Sequence, residues 1–205
     1  MLNTIGDSHA DFTFRHIPGI WAYHLGPWTM HRVGRDGFQK FDMSKTAFVK
    51  GERLICCFGE IDVRCHIHRF YTEYQKRVQQ NGVDSSSVPD PIHTLAANYI
   101  NTILPNCEYF KMCVMSVPPP CYTERVAYNP EFPIIGSDAE RLLYQRSLNT
   151  KLKELCERHN LEFLDLDPFY ADENGMMNVI HSSDGVHVTN TQPLHNKLRE
   201  LQWIG

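Results

Sequence analysis

Short apolar runs alternate along the chain with longer segments in which apolar residues recur at helical spacing. Short runs bounded by glycine or proline are typical of strands buried on both faces of a parallel sheet, and the helical spacing is typical of amphipathic helices. The predicted strands cover residues 2–6, 17–24, 53–58, 110–117 and 161–166. The predicted helices cover residues 9–15, 63–80, 91–104, 137–159 and 190–202.

This alternation predicts an α/β fold of three layers, in which helices cover both faces of a mostly parallel, five-stranded sheet. A length of 205 residues with 42% hydrophobic residues fits a single domain spanning residues 1–205. The segments 25–37 and 121–135 read as irregular loops because glycine and proline interrupt them. Ser137 to Glu140 has the pattern of a capped helix start.

Two segments far apart in the chain supply the parts of a nucleophilic site. The first strand runs into Gly6-Asp7-Ser8, and Asp184 and His187 precede the last helix. A serine hydroxyl needs an imidazole to take its proton and a carboxylate to orient that imidazole. Each motif alone is more typical of a turn or of an ordinary histidine. Their joint placement predicts a catalytic triad of Ser8, His187 and Asp184.

Charge and cysteine content narrow the function classes. A net charge of −4 and a pI near 6.2 give no attraction to nucleic acid or to anionic membranes. With no leader-like segment and no apolar run long enough to cross a bilayer, we expect a cytoplasmic protein. The seven scattered cysteines are expected to be reduced and mostly buried. His66 and His68 would lie on different faces of a helix, so we expect no metal there.

The chain resembles the SGNH, or GDSL-type, hydrolase superfamily in three sequence blocks. Gly6-Asp7-Ser8 matches the first block, Gly59-Glu60-Ile61-Asp62 matches the Gly-x-Asn-Asp block, and Asp184 to His187 matches the final Asp-x-x-His block. The resemblance implies a flavodoxin-like SGNH hydrolase fold without a metal or organic cofactor. Ile61 departs from the family pattern, because the family has there an asparagine that donates to the oxyanion.

The resemblance also implies an oxyanion hole and a substrate crevice at the carboxyl ends of the strands. The expected oxyanion donors are the backbone N–H of Ser8, the N–H of Gly26 and the side chain of Arg64, which would replace the missing asparagine. Gly34 is the alternative to Gly26. The residues expected to contact substrate are His9, Trp28, Gly59 and Glu60. Ordinary packing is the competing interpretation for Trp28, and a solvated loop position is that for Glu60.

These features predict a serine esterase that hydrolyses an O-acyl group, expected to be acetyl, of a carbohydrate or small metabolite through an acyl-enzyme. An O-acyltransferase with the same triad is the first alternative. The second is a metal-dependent phosphoesterase that uses Asp7 and His9 as ligands. The third is a non-catalytic glycan-binding module, which Ile61 suggests. The predicted partner is a small-molecule or carbohydrate ester, and the oligomeric state is left open.

Overall fold

The computed structural model describes residues 1–38, 48–81 and 88–205. Five strands of these residues form one sheet in the order β2-β1-β3-β4-β5, and every neighbouring pair is parallel. The strands are β1 (Leu2–Gly6), β2 (Ile20–His24), β3 (Arg53–Cys57), β4 (Lys111–Met115) and β5 (Glu162–Leu164). The predicted parallel, five-stranded α/β architecture is therefore confirmed.

Helices follow the strands in the described part of the chain. They are α1 (Ser8–Phe12), α2 (Met30–Asp36), α3 (Ile67–Asn81), α4 (Pro91–Ile103), α5 (Asp138–Arg158), α6 (Asp167–Tyr170) and α7 (Gln192–Glu200). A π-helical segment, Asp62–His66, leads into α3, and 3-10 segments cover Leu104–Glu108, Thr123–Arg125 and Val179–His181. The segment 25–37, predicted to be a loop, contains α2, which is too short to show a clear apolar period.

Alternate residues of the central strands enter two separate apolar cores. Leu54 and Cys56 of β3 face one core, which side chains of α2, α4 and α5 complete. Ile55 and Cys57 face the other, which side chains of α1, α6 and α7 complete. Successive side chains of a strand point to opposite faces, so a strand covered on both sides must be apolar at every position. This explains why residues 53–58 form one uninterrupted apolar run.

Helix caps follow the sequence at α5 but not at α3. Ser137 accepts a hydrogen bond from the Glu140 N–H, and the Glu140 carboxylate accepts one from the Ser137 N–H, as the capping pattern predicts. Asp62 stands immediately before the predicted helix 63–80, where a carboxylate is expected to cap the helix that follows it. It instead accepts from the first amides of α2, Met30 N at 2.6 Å and His31 N at 3.1 Å. The expectation was wrong because the acceptor of a cap can come from a distant segment.

All seven cysteines are free thiols, and five of them are buried. Cys65 is half-buried and Cys107 is exposed, so the prediction of mostly buried thiols is confirmed. In the described residues, no helix combines the length and the apolar composition that crossing a membrane requires.

Candidate active site

The nucleophile candidate lies in a tight turn between β1 and α1. A Cβ on Gly6 would come within 1.9 Å of the Cys57 carbonyl oxygen, so only glycine allows β1 and β3 to approach this closely. Asp7 caps α1 by accepting a hydrogen bond from the His9 N–H at 2.9 Å. Ser8 is therefore the first residue of α1 and lies at the carboxyl edge of the sheet.

The other two triad candidates lie on one loop that reaches this turn. Ser8 Oγ is 2.8 Å from His187 Nε2, although the two residues are 179 positions apart. His187 Nδ1 is 2.6 Å from Asp184 Oδ2. Asp184 Oδ1 also accepts from the backbone N–H groups of Val186 and His187, at 2.9 and 2.8 Å. The spacing of three residues thus lets the carboxylate hold both the loop backbone and the imidazole.

The surroundings of the triad favour a neutral base beside an ionised carboxylate. Burial raises the pKa of the Asp184 carboxyl, but hydrogen bonds from the His187 ring and from two backbone N–H groups outweigh it and bring that pKa to about 2. Burial and the nearby His9 lower the pKa of His187, and Asp184 opposes them in part. Phe12 stacks on the His187 ring at 4.3 Å between centroids, which holds the ring plane. His187 is thus set to accept a proton from Ser8.

The triad opens into a cavity of about 400 Å³, here called the triad cavity. Its wall is formed by Ser8, Phe12, His24, Gly26, Pro27, Ile61, Arg64, Val126, Ala127, Asn129, Phe132, Asp184, Val186 and His187. Most of the wall is apolar, with few polar groups beside the triad. A volume of this size accepts a small substrate or one short substituent of a larger one.

Two backbone amides at the triad cavity are free to donate. Neither the Ser8 N–H nor the Gly26 N–H makes a hydrogen bond to any residue that the structure describes. Gly26 has a φ of +80°, which glycine adopts without strain. The alternative, Gly34, packs in α2 against α4, where an added Cβ would lie 3.1 Å from Asn98. The structure therefore brings Gly26, and not Gly34, to the same cavity as Ser8.

Arg64 reaches the triad cavity but is largely engaged in hydrogen bonds. Its Nε and Nη2 donate to the two carboxylate oxygens of Glu60, at 2.6 and 2.9 Å, and its Nη1 donates to the Phe132 carbonyl oxygen at 3.0 Å. One N–H on each terminal nitrogen is left for a substrate. Glu60 is only 7% exposed, so the solvated-loop interpretation of this residue is wrong. Its carboxylate serves as the partner of Arg64 inside the wall.

Three residues expected to contact substrate lie away from the triad cavity. His9 is 1% exposed and lies beneath His187, with both ring nitrogens close to protein oxygens. Trp28 packs against the core and carries the Arg32 guanidinium over its ring, which agrees with the packing interpretation. Gly59 is enclosed, since a Cβ there would meet Val117 at 2.6 Å. Burial and packing explain these three positions without a substrate.

Sequence reasoning missed the part of the wall that comes from residues 121–135. Val126, Ala127, Asn129 and Phe132 lie on this irregular segment, which carries no periodic signal. The Asn129 Oδ1 accepts from the Glu131 N–H at 3.0 Å, and its Nδ2 makes no hydrogen bond within the described chain. The free amide thus adds a donor to the wall. An Asn in a proline-rich stretch was the only available signal.

A buried arginine anchors the same segment to α5. Arg141 is 0% exposed and donates to the carbonyl oxygens of Gly136 and Cys121, at 2.6 and 3.0 Å, and to Thr123 Oγ1 at 2.9 Å. Three donors on one rigid guanidinium fix both ends of the segment that carries the wall. Near Gly185, this segment packs so closely that an added Cβ would lie 3.1 Å from the Arg125 oxygen.

A second cavity, of about 500 Å³, lies between α2, α3 and α4 and is bounded by Asp62, Phe70 and Tyr74 among others. It is larger than the triad cavity, but neither Ser8, His187 nor Asp184 borders it. The triad cavity is the candidate active site because the hydrogen-bonded nucleophile and base border it. The larger volume of the second cavity does not by itself supply a reactive group.

The two metal ligands of the phosphoesterase alternative, Asp7 and His9, are engaged in contacts within the protein. Asp7 and His9 are both buried, and His9 Nδ1 is 3.2 Å from Asp7 Oδ1. Among residues 1–38, 48–81 and 88–205, no group of three or more His, Cys, Asp or Glu side chains is arranged to hold a metal ion. The residues present do not fit the metal site that this alternative needs.

The fold of this chain is similar to that of several solved structures. No family model matches the sequence, and neither does any curated protein. The chain is similar over 98% of its length to a GDSL-like lipase from Bacteroides thetaiotaomicron VPI-5482, with a TM-score of 0.61, 14% identity and 86% of that chain covered. It is similar over 98% of its length to Est24, a carbohydrate acetylesterase from Sinorhizobium meliloti, with a TM-score of 0.59, 15% identity and 97% of that chain covered.

An inhibitor-bound aryl esterase from M. smegmatis aligns with 98% of this chain and 98% of its own, at a TM-score of 0.58 and 13% identity. The alignments cover the whole sheet and its helices, at identities too low to carry more than the fold. The chain has the α/β/α fold of the SGNH, or GDSL-type, hydrolases.

Proposed function

We propose that the protein is a serine esterase that removes an O-acyl group from a carbohydrate or small metabolite. The proposed acyl group is acetyl. The observation that carries the proposal is the chain of contacts from Ser8 Oγ to His187 Nε2, at 2.8 Å, and from His187 Nδ1 to Asp184 Oδ2, at 2.6 Å. These distances are within the reach that proton transfer from a nucleophile to its base requires.

In the first half-reaction, Ser8 Oγ attacks the acyl carbonyl carbon while His187 Nε2 accepts the hydroxyl proton. The N–H groups of Ser8 and Gly26 stabilise the negative charge that develops on the carbonyl oxygen, and Arg64 is retained as the proposed side-chain donor. His187 then protonates the leaving alcohol, which leaves the acyl group on Ser8. Asp184 holds the imidazole and balances its positive charge.

In the second half-reaction, water attacks the acyl-Ser8 carbonyl carbon and His187 accepts one of its protons. The tetrahedral intermediate collapses, Ser8 Oγ recovers its proton from His187, and the carboxylic acid leaves. The Ser8 proton has left with the alcohol and a proton from water replaces it, so Ser8, His187 and Asp184 end each turnover in their starting protonation states.

The size and lining of the triad cavity support a short acyl group. A cavity of about 400 Å³ is at the small end of ligand sites, and Ile61, Val126 and Phe132 give it apolar walls. A carbohydrate acetylesterase and an aryl esterase are among the proteins that share the fold. We therefore propose acetyl esters before long-chain esters.

Covalent labelling tests the nucleophile. A fluorophosphonate should modify Ser8, as mapped by mass spectrometry, and Ser8→Ala should lose at least about a thousandfold of the turnover of p-nitrophenyl acetate. Ser147→Ala, on α5 and away from the triad cavity, is the matched control and should keep the native rate. A label on another residue, or equal rates for Ser8→Ala and the native protein, would refute the proposal.

Acyl transfer uses the same acyl-enzyme, and product analysis separates it from hydrolysis. With an acetyl donor alone, an esterase releases acetate at the full rate. With an added acceptor sugar, an acyltransferase releases less acetate and forms the acetylated sugar. We expect unchanged acetate release when the sugar is present.

A further inference from the structure

His9, the residue after the nucleophile, has hydrogen-bond partners that define its protonation state. Its Nδ1 is 3.2 Å from Asp7 Oδ1, and its Nε2 is 3.3 Å from the Val186 carbonyl oxygen. Both partners are acceptors. A neutral imidazole has one donor nitrogen, whereas the imidazolium has two. Only the charged form of His9 donates to both oxygens.

The burial of the Asp7 carboxylate also favours a positive charge on His9. Asp7 is 0% exposed, its Oδ1 already accepts from the His9 N–H, and its Oδ2 has no hydrogen-bond partner within the described residues. A buried carboxylate with one unpartnered oxygen is costly unless a cation compensates its charge. Burial by itself lowers the pKa of His9, but the hydrogen bond and charge of Asp7, with a smaller effect from Glu60, raise the pKa above 6.5.

His9 also contacts the base. The rings of His9 and His187 lie 5.0 Å apart between centroids, with an angle of 32° between their planes. The ionisable groups around this pair are Asp7 on the nucleophile turn, Glu60 on the turn after β3, and Asp184 on the triad loop. A protonated His9 would place a positive charge among these groups, and its contact with Val186 joins the nucleophile turn to the triad loop.

We propose that His9 is a buried imidazolium that acts as a positioning residue, tying the loop of His187 to the turn of Ser8 and keeping His187 in its neutral, proton-accepting form. The catalytic part of this inference rests on the proposed esterase function. A positive charge 5.0 Å away disfavours a second positive charge on His187 in the resting protein. The same charge opposes the imidazolium that forms on His187 during the reaction, and Asp184 offsets part of this cost.

Nitrogen NMR of the full-length native protein tests the charge directly. At pH 6.5, both ring nitrogens of His9 should carry protons in most molecules, whereas the ring of His181, whose pKa burial lowers, should be mostly neutral. A mainly neutral His9 ring at pH 6.5 would overturn the proposal whether or not the protein is an esterase. Asp7→Asn keeps a helix-capping side chain but removes the carboxylate, and His9 should then be neutral at the same pH.

Kinetics test the effect on His187. In His9→Gln, the midpoint of the acidic limb of kcat/KM should move upward by about one pH unit, because the nearby positive charge is gone. Asp7→Asn should move it in the same direction, and the control His16→Gln should leave it in place. A midpoint that does not rise in His9→Gln, with folding verified by circular dichroism, would overturn the effect on His187. If the native protein has no esterase activity, the proposed function fails, and the NMR result still decides the charge of His9.

Discussion

Arg64 and Glu60 form a two-point ion pair inside the wall of the triad cavity. Nε and Nη2 of Arg64 lie 2.6 and 2.9 Å from the two oxygens of Glu60, and each side chain is about one-tenth exposed. Removing one member of such a pair leaves the other buried and unpaired, which costs much more than the pair contributes. A substitution of Arg64 should therefore change both the stability of the protein and the hydrogen-bond donors at the triad cavity.

Arg64→Ala should lower the free energy of unfolding by about 3–5 kcal/mol, because it leaves Glu60 as an uncompensated buried charge. The double variant Glu60→Gln/Arg64→Met removes both charges and should recover most of that loss. Urea denaturation of the native protein and both variants measures the difference. Equal stabilities of Arg64→Ala and the double variant would contradict the buried pair.

The same double variant tests Arg64 as an oxyanion donor. If one of its free N–H groups contacts the oxyanion, kcat should fall by about a hundredfold while KM changes little. The measurement is steady-state turnover of p-nitrophenyl acetate by a protein shown to be folded. An unchanged kcat would remove Arg64 from the oxyanion hole and leave it a structural role in the wall.

Asn129 should contribute a hydrogen bond to the substrate through Nδ2. Asn129→Asp keeps the oxygen that accepts from the Glu131 N–H but replaces the free donor by an acceptor. If Nδ2 donates to the ester, this variant and Asn129→Ala should both lose about tenfold in kcat/KM. If Asn129 only holds the turn, Asn129→Asp should match the native rate, and only Asn129→Ala should be slower.

The pH profile should show a base that works below the ordinary range of histidine. Burial and the charge of His9 lower the pKa of His187 from 6.5, so kcat/KM should rise with pH and reach its midpoint below pH 6.5. The measurement is kcat/KM for an activated ester between pH 4 and pH 8, corrected for hydrolysis without the protein. A midpoint above 6.5 would contradict the described surroundings of His187.

Asp184 should link stability to acid pH. Its pKa is about 2 in the folded protein and 3.8 in the reference state, so the folded protein binds fewer protons in this window. Its contribution to stability is therefore complete above pH 4 and is lost as pH falls toward 2. The side chain is about half exposed, which keeps the effect small. The difference in stability between the native protein and Asp184→Asn should be largest above pH 4 and should shrink as the pH falls toward 2, as acid unfolding measures.

Asp62 should show the opposite dependence. Burial raises the pKa of its carboxyl to about 7 against 3.8 in the reference state, so the folded protein binds more protons between these values and its stability falls as pH rises through them. Asp62→Asn should remove this dependence. Asp62→Ala should cost about 1–3 kcal/mol at pH 5, because the amides of Met30 and His31 lose their acceptor. Thermal unfolding across pH 4 to 8 measures both effects.

The sequence by itself determined the architecture and the reactive residue types. The uninterrupted apolar run at 53–58 indicated a strand covered on both faces, and the helical spacing after it indicated the crossover. The capping pair Ser137 and Glu140 spans three positions, so its contact could be predicted from the local sequence. The same holds for Asp184 and His187, whose contact lies within one turn of a loop.

Only the tertiary structure decided which of these groups meet and what each one contacts. The approach of Ser8 to His187 depends on how the sheet brings two distant loops together. His9 contacts Val186 instead of the cavity, and Asp62 caps α2 instead of its own helix, because the partners come from remote segments. Sequence periodicity reports which face of an element is buried. Hydrogen bonds between distant segments depend on the complete packing, and no local pattern carries them.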